Sequence, residues 1–103
     1  MERRVSITRL KPECREQYLE AHRNVPERVL ARYSELGMRN CSVFLHGVDL
    51  VLITEAENHA VLDAALADDP ADREWQDFVR PMKVVGDWHH MTQIYHVNLG
   101  DSE

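Results

Sequence analysis

The amino-acid sequence predicts an α+β domain whose elements run β-α-β-β-α-β. Three observations carry that order: alternating apolar and polar runs at both ends, two stretches with apolar residues every three or four positions, and a pair of β-rich runs between them. With 103 residues, 44% of them hydrophobic, and only 4 glycines and 4 prolines, the chain is expected to fold as one domain over residues 1–103.

Residues 3 to 10 alternate, with Val5 and Ile7 on one face and Arg4, Ser6, Thr8 and Leu10 on the other, and Lys11-Pro12 ends this first strand. Pro12 suits the first turn of a helix. From Glu13 to Leu36 the spacing is helical, and Tyr18, His22, Val25, Val29, Tyr33 and Leu36 share a face. Pro26 lacks a backbone donor and clashes with the preceding turn, so the helix is expected to break around Arg23 to Val25, with Asn24 available to cap a second segment and Gly37 to stop it.

Asn40 to Leu45 and Leu50 to Ala56 are two strand-like runs joined by His46-Gly47-Val48-Asp49, a hairpin signal. Asn58 can cap a helix over His59 to Ala67, and Asp68-Asp69-Pro70 separates it from a further helix through Trp75, Phe78, Val79 and Met82. Gly86-Asp87 turns the chain into a last alternating strand, Trp88 to Leu99. This order is the ferredoxin-like motif, an antiparallel sheet with both helical segments on one face. The other face then needs a cover. Two such sheets face to face make a dimeric α/β barrel, so a homodimer through the sheet faces is the expected assembly.

Lys and Arg number 12 against 18 Asp and Glu, a net charge of −6, which repels a phosphate backbone and argues against a nucleic-acid partner. No stretch of about 18 apolar residues and no signal-peptide pattern is present, so no membrane association is expected and the compartment expected is the cytoplasm. Cys14 and Cys41 lack CxxC spacing and read as reduced thiols rather than a disulfide or a zinc site.

Tyr18 and His22, four residues apart, lie one turn apart on one helix face. A phenol and an imidazole are suited to proton transfer near neutral pH, although a core aromatic beside a satisfied histidine fits the same spacing. Trp75 and Trp88 can each present an apolar plate to a ring or simply fill the core. His89, His90 and His96 do not converge on one side of a strand and no HExxH appears, so no metal is expected. Phosphate loops, GxSxG elbows and Rossmann fingerprints are absent, and Asp68-Asp69 reads as a solvated turn.

Read together, Tyr18-Leu19-Glu20-Ala21-His22, Pro26-Glu27, Gly37-Met38-Arg39-Asn40-Cys41-Ser42-Val43-Phe44, Asp69-Pro70 followed by Trp75, and Met91-Thr92-Gln93-Ile94-Tyr95-His96-Val97 resemble the L-rhamnose mutarotase family over nearly the whole chain. The resemblance implies a dimeric α/β barrel that interconverts the anomers of a deoxy-L-sugar without a cofactor. It places the catalytic pair at His22 and Tyr18, and the substrate contacts at Trp75, Asn40, Cys41 and Ser6.

Three positions depart from the family pattern: Cys41 stands where a pocket tyrosine is usual, Ser6 where an aromatic is common on the first strand, and Glu74 where a Trp-Trp pair begins. The expected substrate is therefore a monosaccharide of the L-rhamnose or L-fucose type. The alternatives are a cofactor-free monooxygenase or polyketide cyclase on the same scaffold, and a non-enzymatic dimer that binds a small ligand.

Overall fold

The computed structural model describes residues 1–84 and 88–100. The first strand, β1 (Glu2–Arg9), leads through a 3-10 turn at Pro12–Cys14 into α1 (Arg15–His22), and after a four-residue break comes α2 (Glu27–Glu35). The hairpin β2 (Met38–His46) and β3 (Asp49–Ala56) follows, then α3 (His59–Leu66), α4 (Pro70–Val79), a 3-10 turn at Arg80–Met82 and β4 (His89–His90).

The strands lie in the order β2-β3-β1-β4, with each neighbouring pair antiparallel. This is the ferredoxin-like arrangement that the element order predicts.

Local chemistry explains most of the boundaries. Pro26 ends the first helical stretch and occupies the cap position of α2. Asn24 does not cap α2 as expected; its backbone N–H donates to the Ala21 carbonyl, closing the turn after α1. Gly37, at φ 99°, takes the left-handed conformation that terminates α2, and its N–H donates to the Ser34 carbonyl. Asn58 caps α3 by accepting from the Val61 N–H at 3.0 Å. Pro81 turns the end of α4 into a 3-10 turn that stops at Met82.

Two further expectations are corrected. Asp69 is not part of a solvated turn: it is 5% exposed and caps α4 by accepting from the Asp72 N–H at 3.0 Å. The acidic residue next to a helix-initiating proline satisfies an orphan donor there, and is buried for that reason. The last strand is also far shorter than the predicted Trp88 to Leu99. Its pairing covers Ser6 with His90 and Ile7 with His89, and one further bond runs from the Met91 N–H to the Val5 carbonyl. Beyond it Ile94, Tyr95 and Leu99 are exposed. Alternation marks side chains that need cover on one face, and a single chain supplies none there. The expected Gly86-Asp87 turn lies outside the described residues.

The core sits under the helices at the hairpin end, where Leu10, Tyr18, Leu50, Val79 and Met82 are buried together with Trp75 and Trp88 packed against them. Each such side chain contributes about 1.5–3 kcal/mol of burial. β1 directs its alternation in an unexpected sense. Ser6, Thr8 and Leu10 face the helices and are buried, while Ile7, on the opposite face, is 41% exposed. β3 follows the same parity with Leu50, Thr54 and Ala56 buried, and its open-face residues Val51 and Ile53 pair with Ile7 and Val5.

Candidate active site

Between the helices and the sheet lies a cavity of about 670 Å³. α1 supplies Tyr18 and His22 to its wall, α2 supplies Tyr33, the sheet supplies Cys41 and Thr54, and α4 supplies Asp72, Trp75 and Gln76. Tyr18 and His22 face the void together because they are one helical turn apart, with ring centroids 4.3 Å apart and planes at 33°. Trp75 meets His22 edge-on at 5.3 Å. The three rings form one continuous aromatic wall.

His22 is the last residue of α1, where backbone carbonyls lose their helical partners. Its Nδ1 lies 3.0 Å from the Tyr18 carbonyl oxygen, and because a carbonyl only accepts, Nδ1 carries the proton of that bond. Nε2 is therefore the nitrogen left to exchange a proton in the neutral ring.

Every buried side-chain nitrogen and oxygen among the described residues has a hydrogen-bond partner. Nε2 of His22 and the hydroxyl of Tyr18 have none among those residues, so neither is sealed off from solvent, and both residues line the cavity. Burial pushes the Tyr18 phenol up to about 12, with a smaller contribution from Cys41, so the hydroxyl stays protonated and acts as a donor at physiological pH. Desolvation likewise pushes the Cys41 thiol up although the residue keeps exposed surface, so it stands as an uncharged part of the wall.

The remaining expected contacts divide. Cys41 and Trp75 line the cavity with Tyr18 and His22. Asn40 does not: it belongs to the opposite face of the sheet, where its Nδ2 donates to Glu55 Oε1 at 2.7 Å. Adjacent residues of a strand point to opposite faces, so Asn40 and Cys41 cannot both enter one pocket. A bulge between Met38 and Asn40 sets the parity that sends Cys41 inward. Ser6 is on the helix side but is fully buried, and its hydroxyl shares a 2.8 Å hydrogen bond with His90 Nδ1 instead of lining the cavity.

Residues that sequence reasoning did not assign complete the site. The Tyr33 hydroxyl donates to Asp72 Oδ1 at 2.5 Å, and Gln76 Nε2 donates to the same oxygen at 3.3 Å. Burial and this bond raise the Tyr33 phenol far above its ordinary range, which keeps it a donor. The available signals were the helical face that Tyr33 shares with Tyr18 and His22, and the three- and four-residue spacing of Asp72, Trp75 and Gln76.

Arg32 Nε donates to Asp69 Oδ1 at 2.5 Å beside that array, and together with the backbone N–H of Asp72 it holds the Asp69 carboxyl below the usual range. At the far side Arg4 grips Asp63 with two bonds of 2.7 and 2.9 Å, and these likewise lower the Asp63 carboxyl. Among the described residues no three His, Cys, Asp or Glu are grouped to hold a metal ion, and no helix is long and apolar enough to cross a membrane.

Known proteins with this architecture carry several activities. An L-rhamnose mutarotase from Formosa agariphila superposes with a TM-score of 0.81 at 15% identity, covering 95% of this chain and 100% of that one. Tetracenomycin F2 cyclase from Streptomyces glaucescens, a type-II polyketide cyclase, gives a TM-score of 0.68 at 17% identity over 97% and 100% of the two chains. An antibiotic biosynthesis monooxygenase gives 0.66 at 17% identity over 92% and 100%.

At such identities these likenesses establish the fold alone. No curated protein sequence matches the chain. The family model of L-rhamnose mutarotase, in contrast, matches residues 3–97. The chain thus belongs to the L-rhamnose mutarotase family, and by that membership is a sugar mutarotase of the isomerase class.

Proposed function

We propose that this protein interconverts the α and β anomers of a deoxy-L-hexose of the L-rhamnose or L-fucose type, with His22 as the acid/base and Tyr18 as its partner. What supports this reading is that His22 and Tyr18 line one cavity beside Trp75, with no partner for His22 Nε2 or the Tyr18 hydroxyl among the described residues.

Ring opening requires a proton to leave the anomeric hydroxyl and one to reach the ring oxygen. Neutral His22 takes the first through Nε2 as the bond from C1 to the ring oxygen breaks and the C1 carbonyl forms. Tyr18, held protonated, donates a hydrogen bond to the ring oxygen as charge develops on it. The imidazolium then passes its proton to that oxygen, giving the neutral open-chain aldehyde. Rotation about the C1–C2 bond and the reverse sequence close the other anomer.

A positioned acid or base contributes about 10²- to 10⁴-fold, and holding the ring against Trp75 adds orientation. The chemistry balances without a metal, a nucleotide or a covalent intermediate.

The proposal includes a homodimer through the open sheet face, in the cytoplasm. What supports the dimer is the bare apolar ladder of Val5, Ile7, Val51, Ile53 and Phe44 together with the exposed apolar tail after Met91. Both cysteines are free thiols, consistent with a reducing compartment.

Saturation-transfer NMR of L-rhamnose and L-fucose at anomeric equilibrium tests the activity. Wild-type protein is expected to broaden or exchange the anomeric signals of at least one of them, and His22→Ala and Tyr18→Phe to lose the effect. Wild-type protein that leaves the anomeric signals of both sugars and of related hexoses unchanged rules the reading out.

A further inference from the structure

Among the polar groups lining the cavity that the reaction described above leaves unused is a carboxylate on α4. Asp72 is only 9% exposed, and its Oδ1 accepts from both the Tyr33 hydroxyl and Gln76 Nε2. A carboxylate oxygen has two lone pairs, so these two donors use Oδ1 fully and fix the plane of the carboxylate. Oδ2 accepts from no group among the described residues, and Asp72 forms no ion pair there. Since no buried side-chain oxygen among those residues lacks a partner, Oδ2 is accessible, and Asp72 borders the cavity. Asp72 also lies one turn before Trp75 on the same face of α4, flanking the aromatic wall that His22 meets.

We infer that Asp72, oriented by Tyr33 and Gln76, receives ring hydroxyl groups of the bound sugar at Oδ2, and that it determines specificity for a polyhydroxylated ring over an apolar one. This rests on the mutarotase reading and deepens it. A ring that fills the cavity strips solvent from the free oxygen of this nearly buried carboxylate, a cost that a sugar hydroxyl offsets by donating to it. An apolar aromatic ligand of similar size leaves Oδ2 desolvated and unpaired, so the same atom that favours one class of ligand rejects the other. Tyr33 and Gln76 are positioning residues: they set the direction of Oδ2 and touch no reacting atom.

The test is steady-state anomer exchange by NMR on the preferred sugar and its monodeoxy derivatives, using wild type, Asp72→Asn and Tyr33→Phe. Asp72→Asn turns the accepting atom into a donor, and is expected to raise KM about 10- to 100-fold, the range of a charged hydrogen bond, with kcat within a few-fold of wild type. On the derivative that lacks the contacted hydroxyl, the KM ratio of variant to wild type falls close to one. Tyr33→Phe, which keeps the carboxylate and frees its orientation, raises KM by a smaller factor in the same pattern. If Asp72→Asn does not fold, Tyr33→Phe carries the test.

Unchanged KM in the folded variants, or a penalty equal on every derivative, overturns this inference while the mutarotase reading stands. Inactivity of wild type on every sugar overturns both.

Discussion

The two faces of the sheet are inverted relative to an ordinary half-covered sheet. The face beneath the helices carries Arg4, Ser6, Thr8 and Thr54 alongside Leu10 and Leu50, whereas the bare face carries Val5, Ile7, Val51, Ile53 and Phe44. A lone sheet normally hides its apolar side and wets its polar one. The helix-covered side tolerates polar groups because each is partnered or opens to a cavity: Ser6 with His90, Thr54 with His59 at 2.9 Å, Arg4 with Asp63. The apolar side is what a second molecule would bury. The difference teaches that one face holds its polar groups around a cavity while the other leaves an apolar ladder uncovered.

The sharpest break in that comparison comes from the covered side. His22→Ala is expected to lower anomer exchange about 10²- to 10⁴-fold while the far-ultraviolet circular dichroism spectrum stays unchanged. Next in size is the core that supports the cavity. Leu50 is 1% exposed, so Leu50→Ala should cost about 2–5 kcal/mol in urea unfolding, reading as a lower midpoint at constant slope.

On the open side, Ile7→Lys and Phe44→Glu should convert the proposed dimer to a monomer in light scattering. Both side chains stand on the exposed ladder, at 41% and 57% exposure, and a charge there blocks burial. An unchanged mass in both variants would remove that face as the interface.

Smaller effects concern titration. Asp69 has a lowered carboxyl pKa through Arg32 and the Asp72 N–H, so its contribution is present above about pH 4 and is lost as pH falls through its folded value. Wild type should therefore exceed Asp69→Asn in thermal stability at pH 7, and the gap should close in acid. Smallest of all, Asn40→Ala should change KM less than about twofold in the NMR assay, because Asn40 bonds Glu55 on the face away from the cavity. A larger rise would mean that the two faces communicate through the bulge at the start of β2.

Much of the molecule was legible before its coordinates. The element order, the break at Pro26, the hairpin around Gly47 and the cap at Asn58 follow from residue types whose conformational preferences act over a few positions. The pairing of Tyr18 with His22 is equally local, since a spacing of four fixes one helix face. The family resemblance points to Trp75 and Cys41 as pocket residues, and both line the cavity. The same resemblance points to Asn40 and Ser6, yet strand alternation turns Asn40 away from Cys41 and toward Glu55, and the Ser6 hydroxyl is bound to His90 from a strand 84 residues away. Tyr33 and Asp72 come together over a separation of 39 residues, a distance at which no spacing rule operates.

By itself, then, the sequence determined which residues share a helix face or a strand face, where elements start and stop, and that a phenol and an imidazole stand one helical turn apart. These depend on backbone periodicity and on side chains acting within a turn. Only the tertiary structure decided which strand face turns inward, that Asp69 is a buried cap rather than a wet turn, and that Tyr33 meets Asp72 in a cavity. Those outcomes come from packing α2 and α4 against each other and onto one side of the sheet, and alternation reads the same whichever side is covered.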